Sequence, residues 1–365
     1  MPTQSNNAGV NEITLIIAGE AHGQWMEYDI ASDLMTPADD FVVSLGRPNG
    51  KVPDAVQPGA DVQVRVGEDT VLTGKIDDVD ISTEKGEQSL SIRGRDSAAV
   101  LLDCSCPIFD AQDMDLQQII EKIVKPMGIN KIRIDAEKTT KKQKIQIEPG
   151  MRAWDALQRY CEDNGLWPWM EPDGTLVVGG PDYSTDPVAD LIIRKNGDGN
   201  NVVRLDYRRS MAKRYSEITV LGQNHSGKNA LKVTVKDEAV KVHRPLIVVE
   251  PDVDTDEEAR KRGRKLLSDS RLDGLSLEIE VKGHRNENGV LWTPGQRIHV
   301  LSEPDGIDAI FFLMSRSFKE SRYRSKHTML SLKEDGAWVL DAKPSKQKTN
   351  KKRRDKTAAK QLKEV

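Results

Sequence analysis

The chain is poor in the residues that usually announce a chemistry. Its 365 residues include three cysteines, Cys104, Cys106 and Cys161, too few for a disulfide framework. Cys104 and Cys106 are separated by a single residue, too few for the usual zinc or redox pair, so inert thiols are expected. Aromatics are only 5% of the chain, hydrophobics 37% and charged residues 31%, which predicts modest cores under a charged surface. No apolar run approaches the roughly 20 residues needed to cross a bilayer. Met1 to Asn11 is polar and lacks the apolar core of a secretion signal. These absences predict an intracellular folding site and no stable membrane insertion.

Catalytic signatures are also missing. The six histidines (His22, His225, His243, His284, His299, His327) form no helical metal pair, and none accompanies a Gly-x-Ser-x-Gly nucleophile. Asp77, Asp78 and Asp80 lack the spacing and distant Glu of a calcium loop. Asn196 to Asn201 is a turn cluster, with no following Lys-Ser/Thr to make it a phosphate loop. No catalytic, cofactor-binding or metal-binding set is therefore expected. Paired acids for sugar cleavage stay open, since any acidic chain offers them.

What is present is a long-range repeat. Pro58-Gly59-Ala60-Asp61 leads into the alternating run Val62 to Val66, and Pro294-Gly295-Gln296-Arg297 leads into Ile298-His299-Val300. A second apolar run follows each (Val71-Leu72; Ile310 to Met314), then a third strand. Those third strands read Ser89-Leu90-Ser91-Ile92 and Met329-Leu330-Ser331-Leu332. The spacing is 236 residues from Pro58 to Pro294 and 240 from Leu90 to Leu330. A repeat at this distance means a duplicated β-unit with other material between the copies. Two like units per chain let a ring of few subunits imitate a ring of twice as many.

The local patterns place four regions. Strands with β-branched residues and turn signals fill 1–95, as expected of a first small β-barrel. Residues 96–184 read as an α/β insert. Asp96 caps a short helix, apolar residues at Leu116, Ile119, Ile120, Ile123 and Val124 form one helical stripe, and Met151 to Cys161 is a further helix closed by Gly165. Trp167-Pro168-Trp169 fits an edge strand or bend, as a contact patch or as the roof of a small core. Residues 185–340 read as a second β-barrel region with one helix at about 255–272, acid-rich at its start and basic at Arg260 to Lys265. Residues 341–365 hold ten Lys/Arg against three acids, a basic tail of +7 on a body of −11. Such a tail is either solubilising or a docking segment for an acidic surface or nucleic acid.

The order and spacing of these motifs resemble the baseplate hub proteins of Mu-like contractile-tail bacteriophages, the tail protein P or 43 kDa-type family. The matching points are Thr73-Gly74-Lys75-Ile76, Gly94-Arg95-Asp96 leading to Leu101-Leu102-Asp103-Cys104, Trp154-Asp155-Ala156-Leu157, and Leu291-Trp292-Thr293-Pro294-Gly295 before the second copy. More distantly, the family is similar to hub domains of other long-tailed phages and to the base of type VI secretion spikes. The resemblance implies a mainly β fold with an α/β insert between two similar barrels. It also implies a homotrimeric ring adapting the sixfold tail tube to a threefold membrane-piercing spike. Tail tube protein, trimeric spike protein and other baseplate proteins become the expected partners, with DNA only in passage. The expected location is the virion tail baseplate, assembled in the host bacterial cytoplasm.

The residues expected to matter are therefore interface residues. The strands holding Val62, Val64 and Val66 and Ile298, His299 and Val300 are candidate ring-forming edges, with intrachain pairing as the competing reading. Lys351, Lys352, Arg353 and Arg354 are candidate tail contacts. Two other functions compete: a tail-associated peptidoglycan-degrading enzyme, and a nucleic-acid-binding protein acting through the basic tail.

Overall fold

A computed structural model describes residues 9–46, 52–85, 87–109, 111–136, 142–145, 147–222, 231–250, 253 and 255–338. The basic tail with Lys351, Lys352, Arg353 and Arg354 lies outside the described residues, as does His225.

The first unit is a seven-stranded arrangement: β1 (Ile13–Ile17), β2 (Glu20–His22), β3 (Glu27–Asp33), β4 (Asp40–Gly46), β5 (Asp61–Val66), β6 (Asp69–Glu84) and β7 (Glu87–Asp96). Their hydrogen-bonded order is β3-β4-β7-β6-β5-β1-β2, all antiparallel. Alternation does the sorting. In β1 and β5 every second residue is buried, so Ile13, Leu15, Ile17, Val62, Val64 and Val66 share one core face.

The insert follows: α1 (Ala99–Asp103), β8 (Ala111–Met114), α2 (Leu116–Val124), β9 (Ile132–Ile134), β10 (Lys142–Ile145), α3 (Ala153–Asp163), β11 (Trp167–Met170) and β12 (Leu176–Gly179). Asp115 and Gln118 form a reciprocal capping box on α2, and the stripe from Leu116 to Val124 is fully buried against Trp154, Ala156 and Leu157 of α3. Pro168 sits in β11, an edge strand, where its missing N–H costs no ladder bond. The flanking Trp167 is buried, and its Nε1 donates to the Leu34 carbonyl at 2.7 Å. It is the roof of a core, not an open contact patch.

The remainder contains two units where the sequence pattern suggested one. β13 (Asp190–Ile193) and β14 (Val202–Arg209) begin the second large unit. A separate small sheet then interrupts it: β15 (Glu217–Gly222), β16 (Leu231–Lys236) and β17 (Pro245–Glu250), with α4 (Asp256–Gly274) packed on its face. Gly263 on α4 lies over Val235, where a Cβ would stand 2.8 Å from a valine methyl, so helix and sheet approach closely. Thr255 and Glu258 cap α4 reciprocally. In its basic run, Lys261 pairs with Glu257, Arg262 with Glu250, and Lys265 with Asp269 and Glu162. Arg260 and Arg264 are exposed and have no ion-pair partner among the described residues, so the run is neutralised only in part. The second large unit resumes with β18 (Leu275–Lys282), β19 (Arg297–Ser302), β20 (Ile307–Ser321) and β21 (Arg324–Glu334).

Apart from β2, which has no counterpart, the two large units repeat each other strand for strand. β14-β18-β21-β20-β19-β13 follows the order of β3-β4-β7-β6-β5-β1. The Pro-Gly turns match bond for bond. Gly59 N donates to Ile76 O at 2.7 Å and Ile76 N to Ala60 O at 3.0 Å; Gly295 N donates to Leu313 O at 2.8 Å and Leu313 N to Gln296 O at 2.9 Å. Both glycines have positive φ (85° and 94°), which side-chain-bearing residues rarely adopt. A bulge falls at the same place in each copy, between Ile76 and Asp78 and between Leu313 and Ser315. One difference is clear: β1 runs antiparallel to β5, whereas β13 runs parallel to β19. The bulges also correct the repeat spacing at its end. Gly94 pairs with Ile76 as Leu332 pairs with Leu313, so the true offset there is 238, not 240. In a strand a two-residue slip leaves every side chain on its own face, so alternation alone cannot detect it.

Candidate assembly surface

The sequence named β5 and β19 as edges; the structure places both in the interior. β5 pairs with β1 and β6, and β19 with β13 and β20. Val62, Val64 and Val66 are buried to 2% exposure or less, and Ile298 and Val300 are fully buried. His299 points the other way, as its phase required. Its ring bridges two carboxylates, Nδ1 to Asp190 and Nε2 to Asp308, each at 2.8 Å. Hydrogen bonding to Asp308 and Asp190 raises its pKa above the usual imidazole value. Thus the intrachain reading holds for both strands, and their side chains are core and strand clamp, not open edge.

The joint that matters is where the two copies meet. The distal half of β20 pairs antiparallel with β3, Ser315 opposite Asp33, Ser317 opposite Ala31 and Phe318 opposite Ile30. Phe318 and Ile30 are fully buried, and both belong to one hydrophobic cluster spanning the two copies. A buried polar chain crosses the same seam. Tyr28 Oη lies 2.7 Å from His284 Nε2, and His284 Nδ1 lies 3.2 Å from Thr328 Oγ1. Burial, aided by the nearby Lys326 and Arg316 charges, pushes the His284 pKa down to about 3, so the ring is neutral at physiological pH.

Beside it lies a charged cluster. Arg316 is 4% exposed, stacks over Phe318 at 4.0 Å and donates Nη1 to the Ile30 carbonyl at 2.7 Å. Burial pushes its pKa down to about 10, against the opposing pull of Asp39 and Asp29. Asp39 N–H donates to Asp96 Oδ2 at 3.1 Å, and Ala98 N–H to Asp96 Oδ1 at 2.7 Å, so Asp96 closes a turn just before α1 and does not cap it as the sequence suggested; the N-cap is Ala98, with no side-chain cap. Burial raises both carboxyls above the usual carboxylate range, and the Asp39 charge raises Asp96 further. The sign of the pH effect follows. Above about pH 4 the folded form binds more protons than the unfolded chain, so stability falls as pH rises toward neutrality. Melting temperature is expected to drop between pH 5 and about pH 8. Asp39→Asn is expected to flatten that slope, while lowering stability by removing a counter-charge of Arg316; an unchanged slope would contradict this assignment.

Several strand margins lack a neighbour among the described residues, those of β2, β11, β13, β16 and β17 among them; two others correspond to the seam. β6 pairs with β5 over its first half, but from Asp78 onward only with β7. β14 pairs only with β18. These margins are the counterparts of the two that meet at the β3/β20 joint.

The comparisons agree with this architecture. Family models match four consecutive segments: the N-terminal domain of the Mu phage baseplate assembly protein GpP-like family (12–96), the second domain of the baseplate hub protein gp44-like family (98–180), the third domain of the tail protein NMB1110-like family (214–267) and its C-terminal domain (269–337). The tail protein from Neisseria meningitidis MC58 is 40% identical, with a TM-score of 0.82 over 91% of this chain and 99% of that one. The chain belongs to the baseplate hub and tail protein family of Mu-like phages. The 43 kDa tail protein of prophage MuSo2 from Shewanella oneidensis is 26% identical, with a TM-score of 0.81 over 89% of this chain and 99% of that one. Baseplate hub protein gp44 of Escherichia phage Mu is 23% identical over 323 residues, 84% of this chain and 83% of that protein. Membership makes the chain a structural component of a phage or prophage tail. The family motifs also gain physical reasons. Gly74 and Gly94 are crossing points of β6, β7 and Phe41, Trp154 and Leu157 are insert core, and Trp292 is buried in the shared core.

The sequence offered no signal for Arg316 or Asp39 as seam residues. Each reads as one more charge in a chain that is 31% charged, and only the fold brings them together.

Proposed function

We propose that three chains close into a ring in which six like sheet units face a sixfold tail tube, while the subunits themselves keep threefold symmetry for a trimeric spike. The observation that supports this most is the duplication, hydrogen bond for hydrogen bond, around Gly59 and Gly295. Duplication within a subunit resolves a symmetry mismatch that identical single-unit chains cannot. In this reading the role is mechanical and not enzymatic, the other partners are baseplate proteins, and DNA only passes through. Lys351, Lys352, Arg353 and Arg354 would reach an acidic partner surface.

Mass photometry of the chain, alone and with its spike protein, tests the proposal. The expected species is three times the 40.7 kDa chain mass. A monomer under both conditions would overturn it.

A further inference from the structure

The intrachain joint is a template for the missing one. β3 and the distal half of β20 are joined; their counterparts, β14 and the distal half of β6, are both open. The bulges and the β4/β7 and β18/β21 registers fix the correspondence. Ile81 stands where Phe318 stands, and Tyr207 where Ile30 stands. Phe318 and Ile30 are fully buried, yet Ile81 is 53% exposed and Tyr207 only partly covered. An inward-facing strand position left this open signals an absent neighbour.

The two margins are complementary. At the intrachain joint β20 brings an arginine stacked on an aromatic, Arg316 on Phe318, opposite the smaller Ser32 and Ile30 of β3. At the open margins the roles are exchanged. β14 carries the arginine and aromatic, with Arg209 over Tyr207 at 4.7 Å, and β6 carries the smaller Val79 and Ile81. On the outer face, Asp80 of β6 and Arg208 of β14 have no ion-pair partner among the described residues.

We infer that β14 of one subunit pairs antiparallel with the distal half of β6 of the next, Ile81 opposite Tyr207, Asp80 opposite Arg208 and Val79 opposite Arg209. The second copy of this chain thereby repeats between subunits the joint that β3 and β20 make within one. This rests on the ring reading above and supplies its strands and register. Directly opposed antiparallel residues lie about 4.5–5.5 Å apart, within disulfide reach.

The test pairs Ile81→Cys with Tyr207→Cys in a Cys104→Ser background, with Ser82→Cys plus Tyr207→Cys as the control on the opposite face. Oxidation of the first pair is expected to give a non-reducing ladder ending at three chains, and the control none. Because both sites are exposed, Asp80→Arg and Arg208→Asp leave the fold intact. Each is expected to weaken assembly about tenfold or more, and together to restore it. If rings of wild-type mass persist but Ile81→Cys/Tyr207→Cys does not cross-link and the charge reversals change nothing, the strand joint is overturned and the ring reading survives. A chain that never exceeds monomer mass, with or without the spike, overturns both.

Discussion

Phe318→Ala is expected to destabilise the isolated chain by roughly 3–5 kcal/mol, whereas Ile81→Ala at the matching position costs less than about 0.5 kcal/mol. The two residues occupy corresponding places on β20 and β6. What separates them is the neighbour. Phe318 is buried against β3, packs on His284 at 4.7 Å between ring centroids and carries Arg316 over its face, while Ile81 faces open space. Removing Phe318 leaves a cavity at a seam that also holds a buried guanidinium, so the loss includes packing that the charge depends on. Ile81→Ala should instead act on assembly, by roughly 2 kcal/mol per joint for the three carbons removed. Denaturant unfolding of dilute monomer, set beside the dissociation constant of the ring, separates the two effects. Equal losses of monomer stability would mean that the copies do not differ in their neighbours.

Gly74→Ala is the second large effect, at roughly 3 kcal/mol or more. A Cβ at Gly74 would sit 1.9 Å from the Arg95 carbonyl oxygen and 2.6 Å from Asp96 Cα. Both obstacles are backbone, so no side-chain rotation relieves the clash. Gly94 faces the same problem from the other strand, 2.3 Å from the Lys75 carbonyl oxygen and against the Phe41 ring. The second copy carries Phe311 and Leu332 at these places, so the close crossing belongs to the first copy alone. Shifting β7 would also displace Asp96 from the turn just before α1. The expected readout is a large drop in unfolding midpoint, together with loosened insert packing seen as faster hydrogen exchange in α1. A neutral Gly74→Ala would contradict the crossing geometry.

Much of this was legible in the sequence because duplication leaves a pattern that survives divergence. The Pro-Gly turn must keep a positive φ at Gly59 and Gly295, and the strand after it must keep an apolar face. The helices of the insert were equally plain, since Leu116 to Val124 carries its stripe and its cap. β3 was not. Glu27 to Asp33 offers only Tyr28 and Ile30 to the core, amid acids and small residues, and its worth lies in joining the copies. The β15–β17 sheet was legible as strands but not as a separate unit, because alternation reports which face is buried and not which sheet a strand enters. For the same reason Val62 to Val66 and Ile298 to Val300 looked like edges. Neighbours along the hydrogen-bonding direction leave no trace in side-chain periodicity. The open margins could be found only by comparing burial at matched positions of the two copies.

Averaged end-on electron micrographs of the purified assembly test the central claim most directly. The account predicts a closed ring of three chains with six similar wedges around the axis, alternating between the Gly59 and Gly295 copies. An assembly with only three wedges, or with the two copies stacked along the axis instead of alternating around it, would contradict it.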